Sequence, residues 1–171
     1  MTELLVAALC VAGLWLSALT LILFVRNRPV RVKFKKIRES ARIPCRTNEF
    51  AAGLDFYAAE DVLVPAGGSA GIPLGIAWQP SRADCYLQLK GRSGLAFVHQ
   101  IEMSNAGVVD PDYRGEIMAK LENRSDKAYL IKAGDKCCQG IVLPLPGVDA
   151  SEAFDLGITR RGDKGFGSTG R

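Results

Sequence analysis

A single histidine, His99, serves the whole chain, and no serine or cysteine stands near it at a triad spacing. It reads as a structural or partly exposed side chain. The five cysteines are Cys10, Cys45, Cys85, Cys137 and Cys138, an odd count with two adjacent. No Cys-x-x-Cys spacing occurs among them and no histidine accompanies them, which excludes the usual zinc sites and a secreted disulfide framework. They read as free thiols in a reducing compartment. No Gly-Lys-Ser/Thr run opens a helix, so a Walker A nucleotide site is absent. There is no internal repeat and no low-complexity tract. Beyond the first apolar run there is also no amphipathic helix of useful length.

What is present begins with that run. Leu4 to Val25 carries no charge and is rich in Leu, Ala and Val. It matches the roughly 20 residues that a helix needs to cross a bilayer. Glu3 is the only charged side chain before it, whereas Arg26, Arg28, Arg31, Lys33, Lys35, Lys36 and Arg38 follow it. A cleaved signal peptide would place its basic residues first. The expectation is an uncleaved single-pass anchor with the N-terminus outside and the remaining chain in the cytosol. Much of the net charge of +4 sits in this basic flank. It serves as a topology signal or, more sharply, as an attraction to anionic lipid heads. Nucleic acid is not an expected partner, because Phe34 is the only aromatic interleaved with the cluster.

After the run come short β-rich stretches punctuated by Gly, Pro, Asn and Asp. Val30, Val32 and Phe34 alternate with Arg31, Lys33 and Lys35, the period of a half-buried strand. Residues 53–57, 62–64, 71–78, 85–89, 117–123, 129–131 and 138–143 are further strand candidates. Many short strands with regular turns predict an all-β sandwich, jelly roll or barrel. Only Arg26–Pro29 separate the apolar run from the first strand, so the domain should sit against the membrane. Three segments result: an anchor over 1–26, a β domain over 27–157 and a glycine-rich arm over 158–171 that should be mobile without ligand.

Five stretches carry candidate chemistry. In the run Ala106-Gly-Val-Val-Asp-Pro-Asp-Tyr113 the small residues let a ligand approach the main chain. Pro111 restrains Asp110 to an extended conformation, and a fixed carboxylate beside a phosphate can deprotonate a water. Tyr113 is a rigid plate for a sugar. An Asp-Pro-Asp turn with Tyr113 in the core explains the same residues equally well. Gly91-Arg-Ser-Gly-Leu-Ala96 sets a guanidinium and a hydroxyl between glycines, which suits phosphate or forms an ordinary turn. Asp55 lies in a strand-like run and needs a partner if buried. Gln139 reads as strand-surface polar or as a phosphate ligand. Gly165-Phe-Gly-Ser-Thr-Gly170 is either a tail or an arm, with Phe166 able to stack on a base and Ser168 and Thr169 able to bind phosphate oxygens.

Five runs standing in order give the chain its resemblance. They are Ala52-Gly-Leu-Asp-Phe-Tyr-Ala58, Gly91-Arg-Ser-Gly-Leu-Ala96, Ala106-Gly-Val-Val-Asp-Pro-Asp-Tyr-Arg-Gly115, Gly134-Asp-Lys-Cys-Cys-Gln139 and Arg161-Gly-Asp-Lys-Gly-Phe-Gly-Ser-Thr-Gly170. From Val30 to Arg171 the sequence resembles the trimeric deoxyuridine triphosphatases (dUTPases). The resemblance implies a jelly-roll-like β-clip subunit, a homotrimer with each active site built from three chains, and Mg²⁺ carried mostly by substrate and water. It implies that Asp110 activates the water attacking the α-phosphorus of dUTP, releasing dUMP and pyrophosphate. The main chain of Asn105, Ala106, Gly107 and Val108 would read uracil, and Tyr113 would pack beneath deoxyribose. Arg92, Ser93, Gly94 and Gln139 would hold the phosphates, with Asp55 supporting the site through water near the metal. Arg161, Phe166, Gly167, Ser168 and Thr169 would close over the nucleotide from a neighbouring subunit.

Departures from the family pattern are Gly91, Pro111, the Cys137–Cys138 pair and Gly140, none of which removes a chemical group. A related dCTP deaminase would need a glutamate where Lys120 stands. A non-catalytic membrane-bound interaction module is the other alternative, against which stand the retained Asp110, Tyr113, Gln139 and Phe166.

Overall fold

The computed structural model describes residues 15–21 and 29–163. Alternating apolar residues build eleven strands in the described part of the chain. In order they are β1 (Val32–Lys36), β2 (Leu54–Tyr57), β3 (Val62–Val64), β4 (Ser69–Pro73), β5 (Ile76–Pro80), β6 (Cys85–Lys90), β7 (Ile101–Met103), β8 (Val108–Val109), β9 (Met118–Asn123), β10 (Tyr129–Ile131) and β11 (Lys136–Pro144). A seven-residue helix, α1 (Ser93–His99), joins β6 to β7. Every strand pair is antiparallel. The largest sheet has the order β2-β11-β6-β8, beside a β4-β9-β7 sheet and the pairs β1-β5 and β10-β3. The expected β-rich architecture is therefore present.

The period of two decides which side chains face inward. In β6, Cys85, Leu87 and Leu89 are buried, and in β9, Ala119, Leu121 and Asn123 are. Of these, Leu87, Leu89, Ala119 and Leu121 meet Phe56, Ile72, Ile76, Trp78, Ile101 and Ile131 in one core. Each such apolar side chain contributes roughly 1.5–3 kcal/mol by leaving water. Asn123 is a buried polar side chain, and its amide is fully used. Its Nδ2 donates to the carbonyls of Val64 (3.1 Å) and Lys127 (2.8 Å), and its Oδ1 accepts from Ser125.

Three details differ from the sequence expectation. The single strand expected over 71–78 is two strands, broken at Gly75, which has φ +66. A Cβ there would stand 2.7 Å from that of Ala41, so both the backbone and the space demand glycine. The Gly91–Ala96 stretch is not a loop throughout, because a helix starts at Ser93. Two turns with no buried residue leave no apolar periodicity to detect. Strand β11 begins two residues before the expected position and carries a bulge between Lys136 and Cys138.

Of the expected anchor Leu4–Val25, residues 15–21 are described and are helical, with Trp15, Leu16, Leu19 and Leu21 exposed. The remainder of that run lies outside the described residues. Among the described residues no helix is long and apolar enough to cross a membrane. Cys45, Cys85, Cys137 and Cys138 are free thiols. Cys10 is outside the described part. His99 is exposed and lies against Tyr129, with ring centroids 4.6 Å apart.

Candidate active site

Strand β11 runs between β2 and β6, so Gln139 is opposite Asp55 on one side and Lys90 on the other. That pairing draws three of the sequence runs together. A pocket of about 200 Å³ opens there, lined by Thr47, Ala51, Gly53, Asp55, Arg92, Ser93 and Gln139. Gln139 is fixed by its Nε2, which donates to the carbonyl of Gly91 at 3.1 Å. Arg92 has extended backbone geometry (φ −104, ψ 135) and caps α1, so Ser93 is the first helical residue.

Asp55 is 8% exposed and has the partners its burial requires. One carboxylate oxygen, Oδ1, accepts from Arg92 Nη1. The other, Oδ2, accepts from Thr47 Oγ1 at 2.5 Å and from Lys136 Nζ at 2.7 Å. Burial alone raises the pKa of this carboxyl. Hydrogen bonds from Lys136 and Thr47, with the charges of Arg92 and Lys136, outweigh burial and hold it below the usual carboxylate range. Two cations on one carboxylate leave the pocket with surplus positive charge, which suits a polyphosphate.

The second cluster lies at the far edge of the same sheet. Strand β8 pairs with β6 through Val109 opposite Leu87 and Val108 opposite Gln88. Gly107 comes so close to β6 that its carbonyl accepts from Leu89 N at 2.7 Å, and a Cβ on it would stand 2.7 Å from the Leu89 oxygen. Asn105, Ala106 and Val108 are exposed, leaving main chain open to a ligand. The turn that follows is held through its carbonyls. Trp78 Nε1 donates to Asp110 O at 3.1 Å, and Tyr113 N donates to the same oxygen at 3.2 Å. Arg114 Nη1 donates to the carbonyls of Pro111 (2.7 Å) and Tyr113 (3.1 Å). The Tyr113 hydroxyl donates to Glu116 O at 3.1 Å, which sets the ring, and Tyr113 is 46% exposed rather than in the core. Glu116 is in turn clamped by Arg38 Nε at 2.7 Å and by Gly75 N at 3.0 Å. The Asp110 carboxylate is exposed, and among the described residues no side chain pairs with it.

The structure thus unites Asp55, Arg92, Ser93 and Gln139 at one pocket. It gathers Asn105, Ala106, Gly107, Val108, Asp110 and Tyr113 at another place. Gly94 is exposed in the first turn of α1. Arg161 is exposed within the irregular stretch after β11, and Phe166, Gly167, Ser168 and Thr169 lie outside the described residues. Sequence reasoning missed Thr47, Lys136, Trp78, Arg38 and Glu116. Lys136 stands inside a quoted run and Glu116 follows one, but their roles depend on long-range contacts that no local pattern carries. Among the described residues no cluster of three or more His, Cys, Asp or Glu side chains could hold a metal. Asp55 is engaged by its three donors, so the donor set suits a metal that arrives on a phosphate chain.

Comparison with known proteins shows the family. The dUTPase family model matches residues 39–170. The chain is 43% identical over 136 residues to the deoxyuridine 5′-triphosphate nucleotidohydrolase of Paramecium bursaria Chlorella virus 1, covering 80% of this chain and 95% of that one. It is 40% identical over 139 residues to the protein of that name from Oryza sativa subsp. japonica, covering 81% and 80%. Among solved structures it is similar to a mutant Staphylococcus bacteriophage 80alpha dUTPase with dUpNHpp. The TM-score is 0.75 at 21% identity, covering 82% of this chain and 99% of that one. The sequence identity and the family match agree with the mostly-β fold, and the chain belongs to the dUTPase family.

Proposed function

We propose that this chain hydrolyses dUTP to dUMP and pyrophosphate by water attack on the α-phosphorus, with Asp110 as the activating base. The chain is an enzyme, a dUTP nucleotidohydrolase, as its relatives' names and their identity over most of its length support. The carrying observation is the pocket of Asp55, Arg92, Ser93 and Gln139, a ready polyphosphate cradle in a member of this family.

The chemistry needs an in-line water, neutralised charge and fixed positions, but no covalent nucleophile. Arg92, Ser93, Gly94 and Gln139 bind the phosphates. The exposed main chain of Asn105–Val108 pairs with uracil, and crowding there excludes a 5-methyl group. Tyr113, fixed through its hydroxyl, packs under deoxyribose where a 2′-hydroxyl would clash. Asp110 takes the proton from the attacking water. Mg²⁺ arriving with the triphosphate would supply further charge neutralisation, with Asp55 as the nearby supporting carboxylate.

One chain's groups fall into two clusters, which supports a homotrimer whose sites combine neighbouring subunits. Arg161, Phe166, Gly167, Ser168 and Thr169 then close the site from an adjacent copy. The apolar run Leu4–Val25 with its basic flank supports a single-pass anchor, with the N-terminus outside and the catalytic domain in the cytosol. Protease treatment of sealed vesicles tests this arrangement, since digestion of the domain from the lumenal side overturns it.

Pyrophosphate release from dUTP, dTTP, dCTP and UTP tests the activity. Turnover of dUTP alone is expected. Equal turnover of dCTP refutes the uracil assignment.

A further inference from the structure

Arg92, the cation placed to meet the phosphates, is also paired with Asp55. A buried carboxylate with one cationic partner holds it hard, because releasing it leaves an unpaired buried charge. Here the carboxylate has a second holder. Lys136 Nζ lies 2.7 Å from Asp55 Oδ2 and 3.0 Å from Thr47 Oγ1, and Thr47 Oγ1 donates to the same Oδ2 at 2.5 Å. Lysine, threonine and carboxylate oxygen close a triangle on the side of Asp55 away from Arg92. Thr47 and Asp55 line the pocket, whereas Lys136 is not part of the lining and contacts both of them.

We propose that Lys136 and Thr47 are positioning residues that act through Asp55. By satisfying Oδ2 they weaken the grip of Asp55 on Arg92 and leave the guanidinium available to the substrate's phosphate chain. This rests on the dUTP-hydrolysing reading above. Lys136 touches no phosphate; it sets how much of the charge on Arg92 is spent on Asp55. Without it, Asp55 and Arg92 neutralise each other and the pocket loses its surplus charge.

The test is a double-mutant cycle on the full-length chain, reading KM and kcat for dUTP and the affinity for dUpNHpp and for deoxyuridine. Lys136→Met is expected to raise KM and weaken dUpNHpp binding by about tenfold to a hundredfold, the range for a charge-assisted contact. It should leave deoxyuridine binding unchanged and kcat within about threefold of the parent. Lys136→Arg should restore most of the loss. In the Asp55→Asn background the Lys136→Met effect should vanish, since its route is gone. An undiminished effect in that background overturns the proposal and makes Lys136 a direct phosphate ligand. Equal loss of deoxyuridine binding also overturns it, as a general structural role. Should Lys136→Met not fold, Thr47→Val against Thr47→Ser reads the same route, and equal KM for the two variants overturns it. A parent enzyme inactive on dUTP refutes the underlying function instead, a result separate from all of these.

Discussion

The phosphate pocket and the nucleoside turn are built by opposite means. In the pocket, side chains hold side chains: Asp55, Arg92, Lys136 and Thr47 satisfy one another before any substrate arrives. In the turn, side chains hold the main chain: Trp78 and Arg114 bind carbonyls, leaving the Asp110 carboxylate exposed. The difference follows from the task. A cation that meets a polyphosphate must be held and oriented, so Arg92 is paired in advance. A base that must accept a proton from water is better left accessible, with only its backbone fixed.

The contrast can be broken most severely at the base itself. Asp110→Asn should lower kcat by about a hundredfold to ten-thousandfold with little change in dUpNHpp affinity. An unchanged rate removes Asp110 from its role. Beneath both regions lies Leu87, paired with Val109 on one side and Val142 on the other. Leu87→Ala should cost about 2–5 kcal/mol in urea unfolding, and a loss well under that range would mean the two regions do not share a tight core. Trp78→Phe keeps the bulk but deletes the donor to the Asp110 carbonyl. A fall in kcat of about twofold to tenfold is expected, with KM steady; a KM effect alone would assign Trp78 to the pocket instead. The smallest effect is on acid stability. The folded pKa of Asp55 is lowered, so its contribution is full above the ordinary carboxylate pKa and fades as pH falls through the folded value. Asp55→Asn should flatten the acid end of a urea midpoint against pH series while costing stability near neutrality. An unaltered acid limb would show that the ion cluster adds nothing to folding.

Much of this was legible before any coordinate. Alternation in Val32–Phe34 and the turn residues between short apolar runs predicted the β architecture, and three of the five runs meet at one pocket. The need of Asp55 for a partner was also readable from its place in an apolar strand. The identity of that partner was not. Arg92 is 37 residues away, Lys136 lies 81 beyond Asp55, and it takes the pairing of β11 with both β2 and β6 to bring them together. Trp78 reads simply as core, which it is at 1% exposure, yet its one polar atom fixes the turn. Helix α1 escaped notice because Phe97 and Val98 point outward and no buried stripe marks it.

The bulge in β11 decides which way two polar side chains look. Lys136 and Gln139 are an odd number of positions apart, so a regular strand would send them to opposite faces of the sheet. Cys137 and Cys138 are both buried at 0% exposure, and together they occupy one inward step of the pleat. That extra residue reverses the parity and brings Lys136 round to the side where Gln139 works. Removing either cysteine from the chain would therefore leave the length nearly intact while turning the ammonium group away from Asp55. The adjacent thiols act here as a spacer, and their value lies in number more than in sulfur.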